Sequence, residues 1–159
     1  MRYTNDAGWS DFKNLIKEGT EGEQVAKLWL EARGVTNIKT IDECIEEGDD
    51  SLSKDMWDLK GVSTSGDVLT FEIKTQNFCH KYAGVNVEET QSGVDSGIKV
   101  SIADYYIFVN PEYGFGVVHG GYLKKISENG AKGFKTFITK AKNKATGFIL
   151  THNNILWIK

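Results

Sequence analysis

The chain contains one proline, Pro111, and two cysteines, Cys44 and Cys79, among its 159 residues. Two cysteines are too few for a disulfide framework, and their scarcity predicts a reducing compartment. With a single proline, the breaks between elements fall to the 17 glycines. No apolar run approaches the ~20 residues of a membrane-spanning helix. The opening segment MRYTNDAGWSDF has no apolar stretch of the kind a secretory signal carries. The expectation is a soluble, cytoplasmic protein with no membrane partner. Internal repeats and low-complexity linkers are also missing, so residues 1–159 are expected to form a single domain. His80, His119 and His152 show no metal-ligand spacing, and neither Cys44 nor the Cys79–His80 pair makes a zinc pattern. No G-x-S-x-G elbow and no Walker A pattern occur, so the chain gives no sign of a hydrolase nucleophile of that type or of a P-loop.

What is present is an uneven distribution of charge. The net charge is only −3. Residues 1–123 hold 11 Lys and Arg against 21 Asp and Glu, whereas residues 124–159 hold 8 Lys against Glu128 alone. Such asymmetry fits either one surface built for an anionic partner or a solvated lysine-rich helix.

Glycines and periodicity divide the chain. A short helix is predicted over Trp9–Lys17. A second is predicted over 20–33, with Thr20 as N-cap, acidic residues in its first turn and Gly34 as its stop. Val25, Leu28, Trp29 and Ala32 form its apolar stripe. The segment VTNIKTI reads as a strand and 42–55 as an acidic loop. Strands are expected at 56–60 and 68–76, and again in ADYYIFVN and GFGVVHG. Residues 86–104 read as a loop, 122–144 as helical with a break near Asn129–Gly130, and GFILTHNNILWIK as a closing hairpin. The composition is α/β, with a mixed β-sheet flanked by helices.

The strands at 56–60 and 68–76 carry charges that strands disfavour. Alternation places Leu69, Phe71 and Ile73 on one face and Thr70, Glu72, Lys74 and Gln76 on the other. A hairpin centred near Ser65 sets Asp58 directly opposite Glu72, with Cβ atoms roughly 5 Å apart. Two carboxylates at that distance repel unless a proton or cation lies between them. A hard divalent cation such as Mg²⁺, with Mn²⁺ as its substitute, suits two carboxylates completed by water and phosphate oxygens. Lys74, on the same face, is suited to orient a metal-bound water and to stabilise charge on a phosphorane-like transition state. Gln76 continues this face to the strand end, where it either meets a substrate phosphate or is solvated.

This constellation resembles the PD-(D/E)XK nuclease superfamily, whose core is a helix bearing Glu, a strand ending in Asp and a strand carrying (D/E)-x-K. The helix segment GTEGEQVAKLWLEARG is similar to the pattern of resolvase-like members through Gly19, Gly22, Glu23, Ala26, Leu30 and Gly34. The resemblance covers about residues 19–76 and implies a restriction endonuclease-like core, to which the pattern of the remaining sequence adds a C-terminal helix and hairpin. It assigns the helix carboxylate to Glu23, with Glu21 as second choice, and implies a metal site in which Glu23, Asp58 and Glu72 hold metal and water and the Ile73 backbone carbonyl completes the set. Trp57 stands where the family's proline would be, and the connection from helix to Asp58 is long and acidic.

The resulting expectation is a Mg²⁺-dependent DNA endonuclease using Glu23, Asp58, Glu72 and Lys74. Lys132, Lys135, Lys140, Lys142 and Lys144, within the lysine-rich stretch 124–144, are expected to contact DNA phosphates without reading sequence. A nucleic-acid-binding or regulatory protein that keeps the fold without cleaving is the alternative, and an acidic protein-interaction module is a third reading. Monomer and homodimer are both open.

Overall fold

The computed structural model describes residues 8–159. Helix α1 (Trp9–Lys17) has the expected bounds. Helix α2 (Gly22–Ala32) starts one residue later than expected. Glu21, not Thr20, is its N-cap, and no side chain caps it. Gly34, at φ +89°, stops it as expected, because the left-handed conformation there suits a residue without Cβ. Gly22 has a different reason to be glycine. A Cβ at this position would lie 2.0 Å from Thr75 Oγ1. The first turn of α2 therefore packs against the end of the strand that carries Glu72 and Lys74.

Strand β1 (Thr36–Thr40) leads into α3 (Ile41–Glu46), which replaces the first part of the expected acidic loop. The Thr40 hydroxyl accepts the Glu43 N–H at 3.1 Å, and Asp42 and Glu43 fill the first turn. TIDE is thus a helix start of the Thr-x-x-Glu kind, masked in the sequence by the density of acid around it. Strands β2 (Leu59–Val62) and β3 (Val68–Thr75) follow, then β4 (Gly84–Gln91) and the short β5 (Val94–Asp95). Strands β6 (Tyr105–Asn110) and β7 (Gly114–His119) precede α4 (Gly120–Glu128). The chain closes with β8 (Thr136–Ile138), β9 (Ala145–Thr151) and β10 (Leu156–Ile158).

Two sheets result. The larger has the order β1-β2-β3-β6-β7-β10 and is mixed, with β3 and β6 parallel and the other neighbours antiparallel. The smaller, β5-β4-β9-β8, is antiparallel. Helices α1 and α2 cover one face of the large sheet, where Phe12, Val25, Trp29 and Leu30 meet Phe71, Ile73, Val109 and Phe115. Trp29 stacks on Phe115 with ring centroids 4.5 Å apart. On the opposite face, Tyr106, Phe108 and Val118 pack against Val85, Val87, Phe148 and Leu150 of the small sheet and Leu123 and Ile126 of α4. Among the described residues no helix is long and apolar enough to cross a membrane.

Three expectations for the C-terminal half are corrected. Residues 86–104 are not all loop, because Val85 and Val87 alternate inward and build β4. The predicted helix over 122–144 ends at Glu128, and the β-branched and aromatic Thr136–Ile138 segment forms β8 on the edge of the small sheet. The closing hairpin does not form. A 3₁₀ turn, His152–Asn154, passes the chain from β9 in one sheet to β10 in the other.

Candidate metal centre

The β2–β3 ladder pairs Leu59 with Phe71, Lys60 with Thr70, Gly61 with Leu69 and Val62 with Val68. One further step in this register sets Asp58 against Glu72, as alternation predicts. The regular ladder stops at Leu59, and Asp58 is held in its own way. Its N–H donates to the Phe71 carbonyl at 2.8 Å, and its carbonyl accepts the Ile41 N–H at 3.0 Å. Its Oδ2 accepts the Ile73 N–H at 2.7 Å. The side chain is therefore fixed across β3, directly over the Glu72–Lys74 segment.

Glu72 is only 8% exposed, and its polar contacts are few. Lys74 Nζ lies 3.4 Å from Oε1, and the Ser101 hydroxyl reaches Oε2 at 3.5 Å. Burial, and next the Asp58 charge, push the Glu72 carboxyl up to about 7. Asp58 is also raised, chiefly by burial, with the Ile73 N–H and Lys74 opposing the shift. Glu23, half-buried on the first turn of α2, is raised by burial and then by Asp58. Glu21 is exposed, and of the two carboxylates it is Glu23 whose carboxyl is raised by the Asp58 charge. Glu23 and Lys27, both described, make no ion pair with each other. Asp42 of α3 adds a smaller push on Glu23 in the same direction.

Asp58, Glu72 and Lys74 are thus together, Glu23 on α2 feels the Asp58 charge, and Ile73 bridges Glu72 and Lys74 along the strand. Among the described residues no three His, Cys, Asp or Glu side chains form a ready-made coordination sphere. The chain offers a carboxylate pair, a donor set that suits a hard cation whose remaining positions go to water, carbonyl and phosphate oxygens. Both carboxyls are raised, so a proton is held here more tightly than on a free carboxylate.

Lys74 and Gln76 open into a cleft of about 210 Å³ between the two sheets, whose far wall includes Asn86, Glu88 and Phe137. Tyr106 also lines it. Its hydroxyl is buried beside Ser101 without a hydrogen bond, and burial, then Glu72, raises it far above the ordinary phenol value. Lys140, Lys142 and Lys144 are exposed on the β8–β9 loop, whose two ends, Thr139 and Ala145, line the same cleft. Lys132 is not brought there and lines a separate cavity with Tyr122 and Lys125 at the end of α4. Lys135 is exposed just before β8, and its carbonyl accepts the Ile149 N–H.

Sequence reasoning missed Ser101 and Tyr106, which touch the site from a loop and a strand about thirty positions beyond Glu72. Pairing of Glu72 with Tyr106 across the parallel ladder is the signal, and it is invisible until the partner of β3 is known. No family model, curated protein or solved structure matches the chain.

Proposed function

We propose that this protein is a metal-dependent DNA endonuclease with a restriction endonuclease-like core, acting with Mg²⁺ or Mn²⁺. The observation that carries the reading is the pairing of buried Glu72 with half-buried Asp58, with Lys74 3.4 Å from Glu72 and lining a cleft. Burying two carboxylates together is unfavourable in an apo protein and is relieved by a divalent cation. Asp58, Glu72 and the Ile73 carbonyl would hold that ion, and Glu23 would hold water on its outer side. The metal supplies neutralisation of the phosphate and a water that ionises near neutral pH. Lys74 orients the water's oxygen towards phosphorus and places its positive charge beside the non-bridging oxygens. The water would give up a proton to solvent as its oxygen adds to phosphorus, the bridging P–O bond would break, and the leaving oxygen would take up a proton from solvent. Asp58, pinned by Ile73 and Phe71, keeps the geometry fixed while this charge develops.

The direct test is incubation with supercoiled, linear, single-stranded and branched DNA in Mg²⁺, Mn²⁺ or EDTA. Cleavage is expected with either metal and none in EDTA. Mg²⁺ should also raise the melting temperature by mass action, an increase that Asp58→Asn abolishes. Protein that binds DNA but cuts none of these substrates with either metal would overturn the reading in favour of a binder without chemistry.

A further inference from the structure

A second groove of about 540 Å³ begins where the first cleft ends, with Gln76 and Asn86 lining both. Phe78 and Tyr82 stand on its wall, 64% and 71% exposed. A lone exposed aromatic needs no explanation, but two within five residues on one groove do. The turn that presents them is held rigidly from beneath. Asn110, fully buried, donates to the Gln76 carbonyl at 2.7 Å and lies 3.3 Å from Cys79 Sγ and 3.0 Å from His80 Nδ1. His152 Nε2 lies 2.9 Å from both the Cys79 and Tyr82 carbonyls, so its N–H is shared between them. Buried polar groups thus anchor a turn whose ring faces are left to solvent. None of the residues lining this groove is a carboxylate, in a chain with 22 of them, and Lys81 sits 5.6 Å from the Phe78 ring.

We propose that this groove takes unpaired nucleotides of the DNA strand continuing from the phosphate at Lys74, with bases stacked on Phe78 and Tyr82. The proposal rests on the endonuclease reading and narrows its substrate class to single-stranded or branched DNA. Ring faces of bases inside a duplex are covered by their neighbours, so a protein aromatic stacks only on a base that has left the stack. Stacking tolerates any base, and Gln76 and Asn86 supply polar contacts between the two clefts. Lys81 and the Lys140–Lys142–Lys144 loop flank this path with positive charge.

The test is affinity of the full chain for a short single-stranded oligonucleotide and for a blunt duplex of the same sequence, both in EDTA. The double variant Phe78→Ala/Tyr82→Ala should lose about tenfold or more in single-strand affinity while duplex affinity changes by less than about twofold. Phe78→Trp and Tyr82→Phe should retain single-strand binding. Both side chains are exposed, so the melting temperature should be unchanged. Unaltered single-strand affinity, or an equal loss on both substrates, would overturn the proposal. So would a change in oligomeric state with DNA binding intact, which would make the groove a contact between copies. A protein whose double variant still cuts in Mg²⁺ with no change in substrate preference refutes the groove and leaves the endonuclease reading standing. One that discriminates in EDTA but never cuts refutes the endonuclease reading alone.

Discussion

Glu72 and Ile73 are adjacent on β3 and almost equally buried, at 8% and 9% exposure, yet their surroundings are opposite. The Ile73 side chain, with that of Phe71, turns to α1 and α2 and joins a cluster of apolar residues that includes Val25 and Trp29. Glu72 turns to the space between the sheets, where its neighbours are Lys74, Ser101 and the charge of Asp58. One face of the strand gains free energy from leaving water, and the other loses it. The strand stays in place because the helix-side face outweighs the loss. The unfavourable face is then available for chemistry, since a cation or proton arriving there finds its ligands already fixed.

The largest effect should come from breaking the stabilising face. Phe71→Ala, at a site 4% exposed, should cost about 3–5 kcal/mol in urea unfolding. A cost below about 1 kcal/mol would mean that the α2 face does not carry the fold.

Next is the opposing face, through pH. Glu72 has its carboxyl at about 7 when folded against an ordinary value of 4.5, so the folded chain binds the extra proton between those values. Metal-free stability should be fully present below about pH 4.5 and fall as pH rises to about 7, by about 3 kcal/mol. Asp58 and Glu23, also raised, add in the same direction. Glu72→Gln should remove most of this slope and be more stable than wild type at pH 8 but not at pH 4.5. Equal slopes in urea titrations of the two proteins would show that Glu72 ionises without cost.

Lys74→Ala separates chemistry from packing. The side chain is 38% exposed, so the variant should fold and keep the Mg²⁺-induced rise in melting temperature. Its cleavage rate should fall by at least ~10²-fold, the scale on which a preorganised charge-stabilising group acts. Cutting at the wild-type rate would remove Lys74 from the mechanism.

The smallest effect concerns the rim. Neutralising Lys140, Lys142 and Lys144 together should reduce the log–log salt slope of duplex binding by about 0.9 for every phosphate that one of these lysines pairs with. Lys132→Gln, at the separate cavity near α4, should leave the slope unchanged.

The part of the site that local pattern governs was legible in the sequence. Period-two alternation and the Ser65-centred turn are enough to put Asp58, Glu72 and Lys74 on one side of β3, because side-chain direction in a strand is fixed by position alone. The i, i+3, i+4 stripe of α2 and its glycine stop were equally readable. The partner across the cleft was not. Val85 and Val87 alternate for only three residues before Glu88 and Glu89, and β4 gains its stability from β9, some sixty residues on. The lysine-rich stretch beyond Gly130 misled for a related reason. Lysine spacing imitates a helical surface, whereas Thr136, Phe137 and Ile138 respond to an open sheet edge that no local pattern announces. Phe78 and Tyr82 passed unnoticed because exposure, which makes them unusual, is a property of the fold.

The long reach of the β4–β9 ladder sets an order of events in time. Gly84 pairs with Thr151 and Gln91 with Ala145, so the second wall of the cleft waits for nearly the whole chain. On a ribosome, β2, β3 and β6 emerge well before β9, and such distant pairings close slowly. The β2–β3 hairpin that sets Asp58 against Glu72 is local, so it is expected to close before the wall that β4 and β9 build together.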